Sequence, residues 1–287
     1  MDRTRADIGV IGGTGLYDLP GLSDAQDVAL ETPFGLPSSP IRIGTLAGRR
    51  VAFLARHGRG HGLMPTEVPY QANVYALKML GVGQIFAVSA VGSLVEELPP
   101  RSVVVIDQLI DRTRRRPLTF FGGGAVAHVG FGDPFCEKLR LAWIAGAKAA
   151  KLAVRETGTY LNMEGPQFST RAESLLHKGI GCHVVGMTNA TEARLAREAE
   201  MCYATLAFVT DYDAWRPHVA GVEATEIFEL IHEMAGAAAT ALATAITKAP
   251  TGDCACRHAL RAGLLTPPSN IPDAARTRLA AILAPYL

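Results

Sequence analysis

Short apolar runs alternate with stretches whose apolar residues recur every three to four positions, and the alternation continues along most of the chain. Apolar runs bounded by polar or glycine-rich residues read as buried strands; three-to-four spacing reads as a helix with one buried face. Strands are predicted at Ile8-Gly9-Val10-Ile11, over 40–43, 50–55, 84–89, 102–106 and 159–163, at Val184-Val185, and over 204–209. Leu46-Ala47-Gly48 between the second and third predicts a hairpin. Tyr70, Val74, Leu77 and Leu80 predict a helix over 69–80. Asp133-Pro134 offers an N-cap with proline at the first helical position, so a helix is predicted from there through Leu139, Trp143 and Ala147 to about Leu152. A short charged helix is predicted over 192–200, and Ile227, Leu230, Ile231 and Met234 open a long one fading near Lys248. Beyond Pro250 the chain is proline-rich, with an amphipathic piece over 272–284. The pattern predicts a single α/β domain over residues 1–250. A partly helical tail, 251–287, is expected to pack on it or on a neighbouring subunit.

Composition narrows the function. With 48% hydrophobic residues in 287, the chain can bury a large core, and a net charge of +1 gives no global field for nucleic acid or an anionic membrane. Arg112-Thr113-Arg114-Arg115-Arg116 reads as a solvated loop or subunit contact. The charged start leads straight into the first strand without a signal-peptide pattern, and the low-polarity stretch 235–246 is too short to span a bilayer, so a cytoplasmic protein is expected. Cys136, Cys182 and Cys202 lie in apolar contexts as small core residues. Cys254-Ala255-Cys256 sits in a polar segment, where its spacing signals metal only weakly and a redox or disulfide role stays open. No metal is expected; a site at His57, His61 and Glu67 lacks any recognised ligand spacing.

Candidate chemistry gathers where strands end. Ligands in open α/β sheets bind beyond the carboxyl ends of strands, and several predicted strands end in polar or glycine-rich residues. The first ends in Gly12-Gly13-Thr14-Gly15, which lacks both dinucleotide and NTPase spacing but can offer N–H groups and the Thr14 hydroxyl to an anion, or simply make a tight turn. Arg56-His57 supplies a planar fork suited to phosphate oxygens, with a structural ion pair the alternative for the arginine and a core hydrogen bond for the histidine. Ser89 could complete such a cage. Phe168 is a stacking face for a flat ring and Met187 can pack along a sugar, unless both are ordinary core. Thr210-Asp211-Tyr212-Asp213 closes the last strand. A partly desolvated carboxyl there could hold a proton for a ring nitrogen; the alternative is a helix cap or a turn.

As a set, IGGTGL (Ile11 to Leu16), ARHGRGH (Ala55 to His61), SAVGSL (Ser89 to Leu94), IDQLIDRT (Ile106 to Thr113), EGPQFSTRAE (Glu164 to Glu173), GMT (Gly186 to Thr188) and TDYDAW (Thr210 to Trp215) resemble the purine nucleoside phosphorylase family, and within it the 5'-methylthioadenosine phosphorylases. The resemblance covers 8–248 and implies a central mixed, twisted sheet flanked by helices. It places phosphate at Thr14, Arg56, His57, Ser89, the Ala90 backbone and Thr188, and base and ribose at Phe168, Met187, Asp211 and Asp213. A 5'-alkylthio pocket is implied at His128, Ala224, Ile227 and Phe228, completed from a neighbouring subunit in a trimer or dimer of trimers, with Leu264 a candidate for the contributed residue. Two departures stand out. Asn189-Ala190-Thr191-Glu192 is more polar than the family's usual segment and is expected to lie away from the chemistry, and the tail beyond Ala249 is longer than usual.

The implied activity is reversible phosphorolysis of S-methyl-5'-thioadenosine. Phosphate is the co-substrate, no cofactor is needed, and neither nucleic acid nor membrane is a partner. Asp211 would be the acid at N7, Asp213 would support the 6-amino end, and His57 would serve with the phosphate. An aspartate at 211 favours 6-aminopurines, since a 6-oxopurine would suit asparagine. A 6-oxopurine phosphorylase acting on methylthioinosine or inosine, and a nucleotide-binding module without catalysis, remain the alternatives. All of this requires Arg56 and Asp211 to face one cavity.

Overall fold

The computed structural model describes residues 4–13, 21–217 and 224–287. Thr14 and Gly15, of the predicted Gly12-Gly13-Thr14-Gly15 motif, lie outside the described residues.

Strand β1 (Ile8–Gly12) is buried throughout. The edge strand β2 (Ser23–Val28) was not legible from apolar periodicity, because Ser23-Asp24-Ala25-Gln26-Asp27 is exposed. A charged edge keeps an unpaired strand from recruiting another chain. Strands β3 (Ile41–Leu46) and β4 (Arg49–Ala55) form the expected hairpin. Ala47 and Gly48 turn it with φ of 50° and 76°, the positive pair a two-residue hairpin turn requires. Helix α1 (Tyr70–Met79) then leads to β5 (Gln84–Ser93), which pairs in parallel with β1 and runs past it.

After β6 (Val103–Val105) and β7 (Gln108–Asp111) comes α2 (Glu137–Ala149). It starts later than the Asp133-Pro134 signal predicts. The Cys136 N–H donates to the Tyr203 carbonyl and Arg197 Nη2 to the Asp133 carbonyl, so 133–136 is drawn onto neighbouring elements instead of into the first turn. Next come β8 (Val154–Arg155), β9 (Thr159–Asn162) and α3 (Arg171–Gly179). Helix α3 opens on a reciprocal capping box between Thr170 and Glu173, a signal present in the sequence but not read there. Strand β10 (Val184–Gly186) leads into α4 (Asn189–Glu198), which begins three residues before the predicted charged helix. Strand β11 (Cys202–Asp211) is the long partner of β5, and α5 (Ala224–Lys248) follows. The tail ends in α6 (Asp273–Arg278) and α7 (Ala280–Leu283).

All eleven strands join one mixed sheet, with β2-β3-β4-β1-β5-β10-β9-β7 as its main path and β11, β6 and β8 branching from β5. Both faces are covered, which is why the central strands read as continuous apolar runs. Ile8, Val10, Phe86, Val88, Ala204 and Leu206 pack with α2 and α5 around Trp143; Ile11, Ile85, Ala87, Tyr203, Ala207 and Val209 pack with α1, α4 and the tail. Helix α5 is long and apolar enough to cross a membrane by length and composition alone. Its packing along α2, where Gly146 faces the Ala241 carbonyl with no room for a Cβ, accounts for one apolar face, and the cavity described below accounts for the other.

Candidate active site

The ends of β4, β5, β10 and β11, the loop after β9 and the first half of α5 enclose a cavity of about 460 Å³, within the range of small-molecule sites. Arg56, His57, Ser89, Ala90, Thr188, Phe168, Met187, Asp211, Asp213, Ala224, Ile227 and Phe228 all line it, as does Gly13 beside Thr14. Arg56 and Asp211 therefore face the same space. His128 does not line it: its N–H donates to the Gly263 carbonyl, and neighbouring Ala127 bridges to Leu264.

Arg56 leaves β4 with its N–H on the Gly12 carbonyl, and Gly58, at φ 73°, turns the chain back. Its guanidinium is buried. Nε and Nη2 donate to the two oxygens of Glu192 at 2.5 and 3.0 Å, and Nη1 donates to the Val88 carbonyl at 2.9 Å. Burial works against the charge, but Glu192 more than offsets it and holds the guanidinium protonated beyond its ordinary range. Three of the five N–H donors are engaged, leaving two for the cavity. Glu192 also accepts from Tyr203 at 2.7 Å, and Asn189 accepts from Ser89 Oγ at 3.0 Å. The polar segment 189–192 thus underlies the cage, correcting the expectation that it lies away from the chemistry. The ion-pair and anion-site readings of Arg56 are compatible, since the pair fixes the fork in place.

His57 is pushed down from 6.5 to about 4, chiefly by burial and then by the Arg56 charge, so it is neutral at pH 7. Its Nδ1 lies 2.9 Å from the Leu63 carbonyl. A neutral ring in that position donates from Nδ1 and keeps Nε2 as an acceptor. His61 stacks on it at 4.5 Å and meets the edge of Phe228 at 5.6 Å, and it was not assigned a role from sequence. Thr188 caps α4 without spending its hydroxyl on the helix, so the hydroxyl and the positive end of the helix both stand at the cavity.

Across the cavity, Asp211 Oδ1 accepts the Asp213 N–H at 2.7 Å and Oδ2 accepts the Thr210 hydroxyl at 2.7 Å. These hydrogen bonds bear out the turn reading of this motif and leave the carboxyl at the cavity wall. Burial raises the Asp211 carboxyl above its ordinary range, with these two hydrogen bonds opposing and Asp213 adding to the rise. Asp213 sits at φ 44°, and its buried Oδ2 is an acceptor without a partner among the described residues. Gly92 makes room for the pair: a Cβ there would lie 2.9 Å from Asp211 Oδ1 and 3.1 Å from Asp213 Cβ. Trp215 anchors the loop by donating from Nε1 to the Ser93 carbonyl at 2.8 Å.

Phe168, 40% exposed, presents an open ring to the cavity. Its loop is held by Glu164, which accepts the Arg114 and Arg115 N–H groups and pairs with Arg116 at 2.9 Å. Arg116 is itself buried, donating also to Tyr70 and to the Pro65 and Glu164 carbonyls. The basic run is therefore a buttress at its last residue and not simply a solvated loop. On α5, Ala224, Ile227, Phe228, Ile231, Met234, Ala235 and Ala238 follow helical spacing along an apolar wall.

Fold and site define an α/β protein whose strand ends bring a buried arginine, a neutral histidine and a carboxyl group of raised pKa to one cavity. The family described as Phosphorylase superfamily matches residues 7–249. An S-methyl-5'-thioadenosine phosphorylase of Gloeobacter violaceus is 50% identical, covering 100% of this chain and 98% of its own; one of Koribacter versatilis is 49% identical, covering 98% and 97%. These alignments run through the tail, so its length is not unusual among such relatives. A methylthioadenosine phosphorylase sourced from an antarctic soil metagenomic library superposes with a TM-score of 0.92 at 45% identity, covering 98% of this chain and 99% of that one. The Schistosoma mansoni methylthioadenosine phosphorylase in complex with adenine gives 0.85 at 33% identity, covering 91% and 99%. The chain belongs to the S-methyl-5'-thioadenosine phosphorylase family of the phosphorylase superfamily.

Proposed function

We propose that the protein is a pentosyltransferase that cleaves S-methyl-5'-thioadenosine with inorganic phosphate, giving adenine and 5-methylthioribose 1-phosphate. The observation that carries this is one cavity with the Arg56 cage on one wall and the raised carboxyl of Asp211 on another.

Phosphate is held by the two unspent Arg56 donors, by Thr188 and the Ala90 backbone, by Ser89 once its hydroxyl turns from Asn189, and by Thr14. Neutral His57 accepts a hydrogen bond from the phosphate hydroxyl at Nε2. The C1'–N9 bond breaks as a phosphate oxygen bonds C1', and the bond's electron pair passes into the purine. The phosphate charge offsets the positive charge growing on the sugar. The Asp211 proton passes to N7, which turns a poor leaving group into neutral adenine. While Oδ2 carries that proton, the Thr210 hydroxyl can turn to the Val91 carbonyl, 3.2 Å away. The open acceptor of Asp213 suits the 6-amino end, directly or through water. Phe168 stacks on the base and Met187 packs on the ribose. Ala224, Ile227 and Phe228 favour an apolar 5' group, a preference of about 1–3 kcal/mol over hydroxyl.

His128 and Leu264 are close to each other and away from their own chain's cavity. That arrangement supports a homotrimer or dimer of trimers in which a neighbouring copy brings them to the 5' end. No disulfide joins any of the five cysteines, in keeping with a cytoplasmic setting. The test is incubation with methylthioadenosine, adenosine, methylthioinosine and inosine, with and without phosphate. Adenine formed from methylthioadenosine only with phosphate is expected. Equal release without phosphate means hydrolysis, preference for the inosines means a 6-oxopurine enzyme, and no turnover at all means a binding module; each rejects the proposal.

A further inference from the structure

The fold brings together four of the five cysteines. Cys136 caps α2, Cys202 opens β11, and Cys254 and Cys256 lie in the first turn of the tail. Their sulfur atoms all lie within 4.8 Å of one another, and Cys136 Sγ is 3.7 Å from Cys254 Sγ. A tetrahedral zinc with Zn–S bonds of about 2.3 Å separates its sulfurs by about 3.8 Å. The quartet matches that spacing with a contraction of at most about 1 Å, whereas a disulfide needs about 2.05 Å. From the sequence alone Cys136 and Cys202 are core residues and the C-x-C pair an ambiguous signal, because the partners are far apart in the chain.

We propose that Cys136, Cys202, Cys254 and Cys256 form a structural tetrathiolate site for a soft divalent cation, zinc, that ties the tail to the domain. Loading forms four metal–sulfur bonds and releases the thiol protons to solvent, with no oxidant consumed. The surroundings fit such a site. Cys136 stands at the positive end of a thirteen-residue helix, which favours thiolate. Lys138 Nζ donates to the Asp253 carbonyl at 2.7 Å, and the Arg257 N–H to the Cys254 carbonyl at 2.9 Å, ordering the C-x-C turn from two sides. A second cavity exposes Cys136, Cys254 and Cys256, so a cation has a way in. The site lies outside the nucleoside cavity, whose lining includes none of the four. Its fourfold bond to both tail and core would anchor the segment that carries Gly263 and Leu264 against 127–128.

The test uses the full chain, purified without chelator, with metal content measured by mass spectrometry and cysteines counted by alkylation after acid denaturation. About one zinc per chain and five alkylatable thiols are expected. Cobalt in place of zinc should give thiolate charge-transfer and tetrahedral absorption bands. Cys256→Ser should lower metal content at least tenfold, while Cys182→Ser, in a separate core cluster, should leave it unchanged. Chelation should raise amide exchange over 255–264 before that of β5 or β11. The proposal is overturned by wild-type protein that takes up neither zinc nor cobalt, by a disulfide among the four, or by full metal content in Cys256→Ser. If that variant does not fold, the wild-type cobalt spectrum and thiol count decide.

Discussion

Replacing Glu192 with glutamine tests the anion cage without touching any group assigned to substrate. Glu192 Oε1 accepts Arg56 Nε, while Oε2 accepts both Arg56 Nη2 and the Tyr203 hydroxyl. Both side chains are 3% exposed, so water cannot stand in for a lost partner. Glutamine keeps the shape but must place its NH2 at one of the two positions, and each already faces an N–H of Arg56. Either orientation opposes donor to donor and leaves a buried cation without a counter-charge. Removing one member of a buried pair costs about 3–5 kcal/mol, and the retained shape and acceptor place this case near the low end, about 3 kcal/mol. Once released, the guanidinium rotates about its bond to the chain, and the two donors kept for phosphate lose their aim. Misplaced transition-state donors cost about 10- to 100-fold in kcat/KM. The assay is initial-rate kinetics varying phosphate at saturating nucleoside, then the reverse, with denaturant unfolding of the same preparations. The loss should fall on phosphate KM and kcat, with nucleoside KM nearly unchanged. Equal loss for both substrates, or lost stability with phosphate KM intact, would refute the view that Glu192 orients Arg56 for phosphate.

Asp211→Asn should reduce adenine release by about 10²- to 10⁴-fold, because an amide cannot give N7 a proton, and should admit some 6-oxopurine turnover; unchanged adenine release by HPLC rejects the acid role. Gly92→Ala should lower kcat more than stability, since its Cβ would press on Asp211 Oδ1 and Asp213 while overpacking costs about 1–3 kcal/mol; wild-type kcat in that variant would show that the carboxylates have room to move. His57 falls from 6.5 unfolded to about 4 folded, so the unfolded state binds the extra proton as pH drops. The stability it contributes is complete above about 6.5 and lost progressively down to about 4, a change of about 3 kcal/mol. That slope should vanish in His57→Gln, and an unaltered slope in unfolding titrations would refute it.

The α/β class, the hairpin at Ala47-Gly48 and the central strands were legible because their signals are local: a run, a period, a turn pair. Strand β2 was not, since a solvent-facing edge strand carries no apolar pattern to read. The late start of α2 escaped because the Asp133-Pro134 signal is overridden by hydrogen bonds to β11 and α4, which sequence proximity does not reveal. The site divides along the same line. Arg56, His57, Met187, Thr188, Asp211 and Asp213 sit at or just past strand ends, where a strand-end rule looks, whereas Ser89 lies inside β5 and Phe168 in the loop after β9.

The supports behind those residues lie on regular elements and look like surface. Asn189 and Glu192 begin a helix with a polar sequence, Asn189-Ala190-Thr191-Glu192-Ala193-Arg194, and polar helices read as solvated. In the fold this stretch of α4 is buried against β11, so its polar residues must find partners inside. Glu192 and the Asn189 side-chain carbonyl find Arg56 and Ser89, 136 and 100 residues away, while Asn189 Nδ2 and Thr191 Oγ1 have no partner among the described residues. An arginine meant to grip an anion in a dry cavity cannot remain buried while that anion is absent unless something else holds its charge. The anion cage therefore implies a buried carboxylate before one is located. Glu192 fills that requirement from the element whose N-terminus also faces the cavity. One helix thus brings its positive end to the cavity, where an anion would be favoured, and supplies the negative side chain that holds Arg56 in place.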